Sequence, residues 1–308
     1  MFEIKNNVHE GDKRDKINKA LHSLVEKLSS NLDISTLKEM IIPDDLVKEV
    51  MEFQNSKGLK VEITNNEHAV ACAKTIAFFA NNQLKNVIFV HKNIINSLFD
   101  QELSKSSINI IHHELCHIHD NHINYKYFEN RFLGKYIGDI SEVSTSHAHV
   151  LFSEYVAECL SAATKDYAKS LNDSLNLLNR MIKSNKSYID KYLYQYRNDN
   201  NAIEYFKNIQ IHSFELLRVM TDICSLLNQT EDLKSLELLM TMVDEVCKLQ
   251  KFYTVFSQLG SELKFLYSKY PLKKIEDYEE LANIVEICWK LMHLEIISDA
   301  HGIVLKID

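Results

Sequence analysis

The sequence predicts an α+β protein that is predominantly α-helical, with a small sheet in its first half and a helical bundle in its second. Three observations predict it. Only two prolines and six glycines punctuate 308 residues, so little interrupts helices. Apolar residues recur at three- and four-residue spacing along most of the chain. The exception lies between Lys57 and His91, where short runs rich in β-branched and aromatic residues are separated by asparagine pairs. Hydrophobic residues at 45% and charged residues at 25% are the balance of a globular chain with a packed core.

Taken in order, residues 12–30 (DKRDKINKALHSLVEKLSS) place Ile17, Leu21, Leu24, Val25 and Leu28 at helical spacing. Leu37 to Phe53 continues in the same style up to a break at Pro43, so two N-terminal helices are expected. After Lys57-Gly58 the runs LKVEIT, ACAKTIAFFA and NVIFVH read as three strands, with turn-like Asn65-Asn66 and Asn81-Asn82 between them. Helical periodicity returns from Ser106 to Ile123. The glycine-containing, aromatic-rich connection YKYFENRFLGKYIGD then leads to a helix from about Glu142 to Ala163. Beyond about residue 165 the chain is Leu, Lys, Asn, Glu and Tyr at helical spacing, without an internal repeat, ending on the short apolar run GIVLKI. This divides the chain into a region of residues 1–165 and a helical region of residues 166–308, the latter a bundle.

The net charge of -8 and pI near 6.0 argue against nucleic acid as the main partner, because phosphate binding needs a basic surface. Six scattered cysteines without a C-x-x-C pair, and a start (MFEIKNNVHEGDKRDK) without a signal-like apolar stretch, predict a reducing, cytoplasmic setting. The longest apolar window, HAVACAKTIAFFA, is short and carries Lys74, so no membrane span is expected.

Chemistry concentrates in SSINIIHHELCHIHDNH, residues 106–122, which holds H-E-x-x-H as His113, Glu114 and His117. On a helix, positions i and i+4 lie about 40° apart, so two imidazoles can bind one ion. Glu114 points about 100° away, where it can act on water at the metal without being a ligand, the position of a general base. Ile108, Ile111, Leu115 and Ile118 form a stripe on nearly the opposite side, giving the helix a packing face and a metal face. A catalytic zinc takes three protein ligands and keeps one position open. Downstream, SEYVAECLSA supplies Glu154 and, four residues on, Glu158 on the same helical face. The first is the candidate third ligand. Glu158 is the candidate carboxylate that accepts the free N–H of a ligating histidine, with His113 as the expected partner. Ala157 and Ser161 are small enough to let the two helices approach closely.

H-E-L-x-H followed by E-Y-x-A-E resembles the gluzincins, the thermolysin-like clan of zinc metallopeptidases, and especially members whose third ligand sits in E-Y-x-A-D. The resemblance covers roughly residues 70–165, with Glu158 standing where Asp is usual, and the spacing of His117 to His122 also resembles a form found in some of these peptidases. It implies one zinc ion per chain on His113, His117 and Glu154, Glu158 behind His113, and hydrolysis of a peptide or protein substrate with Glu114 as general base. It further implies that a preceding strand, AKTIAFF, is a sheet edge to which an extended peptide adds. An oxyanion donor is expected near the third ligand: His147, two turns before Glu154, ranks ahead of His149 and Tyr155. Many relatives with E-Y-x-A-D are embedded in membranes, and no segment here matches that feature.

Another class of function accommodates the same residues: a regulatory or interaction protein whose metal site is structural and whose helical C-terminal region binds a partner protein. Glu114 discriminates between the two, since a structural site has no use for it. On the same helix His112, Cys116 and His119 share another face that could bind a metal, although no fourth ligand is apparent and a plain His/Cys cluster is the commoner reading, while His122 falls on the apolar stripe as a hydrogen-bonded core histidine.

Overall fold

A computed structural model describes residues 2–59, 71–100, 102–129, 140–229, 252–299 and 302–307. Among the described residues the protein is predominantly helical, with a four-stranded mixed sheet and a two-stranded hairpin, and its chain divides into two compact units. One comprises residues 1–136 with 156–166, the other residues 137–155 with 167–308.

In the first unit β1 (Glu3–Asn6) is followed by α1 (Gly11–Leu28), β2 (Leu37–Ile42) and α2 (Leu46–Ser56). Then come β3 (Ala73–Ala80), β4 (Gln83–Val90), α3 (Lys92–Ser97) and α4 (Ser104–Phe128). Among the described strands the sheet runs β1-β2-β4-β3, with β1, β2 and β4 parallel and β3 antiparallel to β4 at the edge. Asn81 and Asn82 turn the β3–β4 hairpin with φ of 52° and 58°, the left-handed pair that a tight two-residue turn demands. Successive side chains of the central strands go to opposite faces. Met40, Ile42, Ile88 and Val90 pack with Leu21 and Val25 of α1 and with Ile111, Leu115 and Ile118 of α4. Ile41, Val87 and Phe89 pack with Leu46 and Val50 of α2.

The expected second N-terminal helix is corrected by this arrangement. Leu37–Ile42 is a strand, and only Leu46–Ser56 is helical. A strand covered on both faces carries apolar residues without alternation, and Leu37, Met40 and Ile41 happen to match helical spacing. Of the three expected strands, AKTIAFFA and NVIFV lie in β3 and β4, whereas LKVEIT falls almost wholly outside the described residues.

The second unit contains most of α5 (Ile140–Leu160), then α6 (Tyr167–Asp199), α7 (Ala202–Asn228), α8 (Tyr253–Ser268) and α9 (Glu279–Leu291). Its core holds Trp289, whose indole N–H donates to the Ser213 hydroxyl at 2.9 Å, and Tyr205, whose hydroxyl donates to the Met292 carbonyl at 3.0 Å. GIVLKI, the short apolar run that closes the helical region, is a strand. It forms β6 (Gly302–Ile307), paired antiparallel with β5 (Leu294–Asp299). Among the described residues no helix is long and apolar enough to cross a membrane.

Candidate metal centre

Helix α4 is held from two sides, which fixes how its polar face is presented. Its stripe of Ile111, Leu115 and Ile118 is fully buried against the sheet. The Thr75 hydroxyl of edge strand β3 donates to the carbonyl of Glu114 at 3.1 Å. Further along, Asn121 donates to Asn86 Oδ1 at 3.0 Å, and Asn86 in turn donates to the Thr36 hydroxyl at 2.9 Å, so amide side chains pin the helix to the sheet.

On the other side of α4 the imidazoles of His113 and His117 meet, their Nε2 atoms 2.9 Å apart and their rings nearly perpendicular. Helix α5 runs unbroken across the boundary between the units, and Glu154 lies one turn before Glu158 on it. One ligand-type atom from each of His113, His117 and Glu154 lies within 4.8 Å of the other two, and this group could hold a metal ion. Among the described residues it is the one such group of three or more His, Cys, Asp or Glu side chains.

The donor set fits a first-row divalent ion. Two nitrogens each about 2.05 Å from a tetrahedral ion stand about 3.3 Å apart, so the pair at 2.9 Å needs to open only slightly. His113 Nδ1 lies 3.1 Å from Glu158 Oε1. A carboxylate there fixes the proton on Nδ1 and leaves Nε2 with its lone pair towards His117 and the cluster. The other oxygen of Glu158 forms an ion pair with the ammonium of Lys165. Glu114, on the neighbouring part of the helix surface, is buried, with 8% of its surface exposed.

The remaining histidines of α4 have other tasks. His112 Nδ1 is 3.0 Å from the Thr164 hydroxyl, and its pKa is lowered, chiefly by burial and then by the charge of His113. His119 Nδ1 accepts the backbone N–H of Asp33 at 2.8 Å, and His122 Nε2 lies 3.1 Å from the Asp33 carboxylate. Cys116 is fully buried, and burial pushes its thiol pKa far up. His112, Cys116 and His119 do not form a ligand group among the described residues.

His147 and His149 sit within the second unit and outside the metal group. His147 packs against the rings of Phe214 and Trp289, at 5.1 and 5.8 Å, and burial lowers its pKa to about 4. His149 faces Tyr278 at 5.5 Å, and burial lowers its pKa to about 3. The hydroxyl of Tyr155 accepts from Asn228 Nδ2 at 2.5 Å.

Three residues with a bearing on the site escaped the motif. Thr75 braces Glu114 from the edge strand. Arg218 of α7 is held between 2.9 and 3.1 Å from Glu215 Oε2. Burial opposes its charge, but Asp222, Glu215 and Glu154 outweigh that and raise its pKa. Lys165 follows Glu158 by seven residues, but α5 ends at Leu160 and a 3₁₀ turn, Ala162–Thr164, stands between them, so helical periodicity does not link the two. Comparison with family models, with curated proteins and with solved structures finds no match for this chain.

Proposed function

We propose that this protein is a zinc-dependent metallopeptidase that hydrolyses peptide bonds in a peptide or protein substrate. The observation that carries the reading is the convergence of His113, His117 and Glu154, with Glu114 buried beside them rather than among them. Two imidazoles and one carboxylate suit a catalytic zinc and leave a fourth position open. Each residue then has a task. His113, His117 and Glu154 hold the ion, Glu158 keeps the His113 proton on Nδ1, and Thr75 braces the turn bearing the base. Zinc, when bound, supplies a Lewis acid that acidifies water and polarises a carbonyl. Glu114 takes the proton from the attacking water and delivers it to the departing amine nitrogen as the C–N bond breaks. Among the described residues β3 pairs only with β4, so its outer side is the edge along which an extended substrate can lie. The scatter of cysteines without C-x-x-C supports work in a reducing cytoplasm.

The test is hydrolysis of casein or a mixed-peptide library by zinc-reconstituted wild type and Glu114→Gln. Wild type is expected to cleave, and the variant to lose about 100-fold or more while keeping its zinc. A zinc-replete wild type that cleaves neither substrate, or a Glu114→Gln variant that cleaves as well as wild type, would contradict the peptidase.

A further inference from the structure

We propose that Lys165 is a positioning residue of the metal centre, acting on His113 through Glu158 to set the affinity for zinc. The proposal rests on the reading of His113, His117 and Glu154 as a zinc site.

The two oxygens of Glu158 are committed to different partners: Oε1 faces His113 Nδ1 at 3.1 Å, and Oε2 forms the ion pair with Lys165. A carboxylate tethered at both oxygens cannot turn about its terminal bond, so the ring it holds is fixed as well. The chain is nearly dry. Side-chain exposures are 17% for His113, 13% for Glu158 and 6% for Lys165. In such surroundings neither Glu158 nor Lys165 keeps its charge cheaply alone, and each stabilises the other.

The placement of Lys165 is itself built. It follows a short 3₁₀ turn, Ala162–Thr164, and its backbone N–H donates to the Ala162 carbonyl at 3.0 Å. That turn is clasped to α4, where Asn109 Nδ2 donates to the Ser161 carbonyl at 3.2 Å and to the Thr164 hydroxyl at 3.1 Å. His112 Nδ1 reaches the same hydroxyl at 3.0 Å. Asn109 lies one turn before His113 on α4. The helix that carries the ligand thus holds the turn that carries Lys165, which holds Glu158, which holds the ligand. A lysine needed only to neutralise a buried glutamate would require no such closed circuit.

The experiment is zinc affinity by chelator competition, without substrate, on full-length wild type, Lys165→Met, Lys165→Arg, Glu158→Gln and the Lys165→Met/Glu158→Gln double variant. Lys165→Met and Glu158→Gln are each expected to weaken zinc binding about 10- to 100-fold. Lys165→Arg restores a cationic partner and should stay within about fivefold of wild type. In the Glu158→Gln background, Lys165→Met should cost less than about threefold more, because both act through one carboxylate. The double variant buries neither charge, so it keeps the test open should Lys165→Met alone fail to fold. Unchanged affinity in Lys165→Met, or an effect undiminished in the Glu158→Gln background, would overturn the proposal. Wild type that binds zinc but cleaves nothing sinks the peptidase and leaves the Lys165 result standing, whereas wild type that binds no zinc overturns both.

Discussion

The part proposed for Glu114 rests on a combination that single residues on solvated helix faces lack: 8% exposure, a neighbouring histidine pair, and a backbone carbonyl held by Thr75. Its reach should therefore matter as much as its charge. Glu114→Asp withdraws the carboxylate by one methylene and is expected to lower kcat/KM by about 100-fold with zinc content unchanged, since a displacement near 1 Å costs about that much. Kinetics beside elemental analysis would check it, and full activity in Glu114→Asp would refute the positional argument. At this scale His113, Glu114 and His117 were legible because i and i+4 on one helix is local information. Glu154 and Glu158 were legible as a pair for the same reason, although only the folded chain brings Glu154 to the histidines. Lys165 was not legible, because a 3₁₀ turn stands between it and Glu158 and no periodicity spans that change.

The elements divide along the same physical line. Helices α1, α4 and α5 declared themselves through long amphipathic or apolar patterns, and the Asn81-Asn82 pair marked the β3–β4 hairpin. Strand β2 did not, because its burial on both faces erased the alternation that identifies strands. Four-residue β1 offered too few positions for any pattern. Two predictions belong here. Met40, fully buried in β2 between α1 and α4, should lose about 2–5 kcal/mol on Met40→Ala, seen as a lower urea midpoint at unchanged slope. A helical, solvent-facing Met40 would lose far less. At Asn82, with φ of 58°, a β-branched residue is strained, so Asn82→Val should cost about 1–3 kcal/mol while Asn82→Gly is nearly neutral. Equal stabilities of the two variants would exclude the left-handed turn.

For the molecule as a whole, acid should act on the second unit through His147 and His149. Burial lowers their pKa values to about 4 and about 3, from an ordinary 6.5 in the unfolded chain. The unfolded state therefore takes up protons first. Their contribution to stability is complete above pH 6.5 and declines as the pH falls towards the folded values. Between about pH 6 and 4 each histidine costs up to about 1.4 kcal/mol per pH unit, so together the slope approaches about 2.7. Trp289, the chain's one tryptophan, lies 5.8 Å from the His147 ring and reports on this unit by fluorescence. His149→Gln should roughly halve the slope of urea stability against pH, and a pH-independent stability over that range would contradict the burial argument. Binding of zinc by His113, His117 and Glu154 together is checked by elemental analysis of reconstituted wild type and Glu154→Ala. About one zinc per wild-type chain and little in the variant are expected. Wild type without zinc, or a Glu154→Ala protein that retains it fully, would rule out this three-residue zinc site.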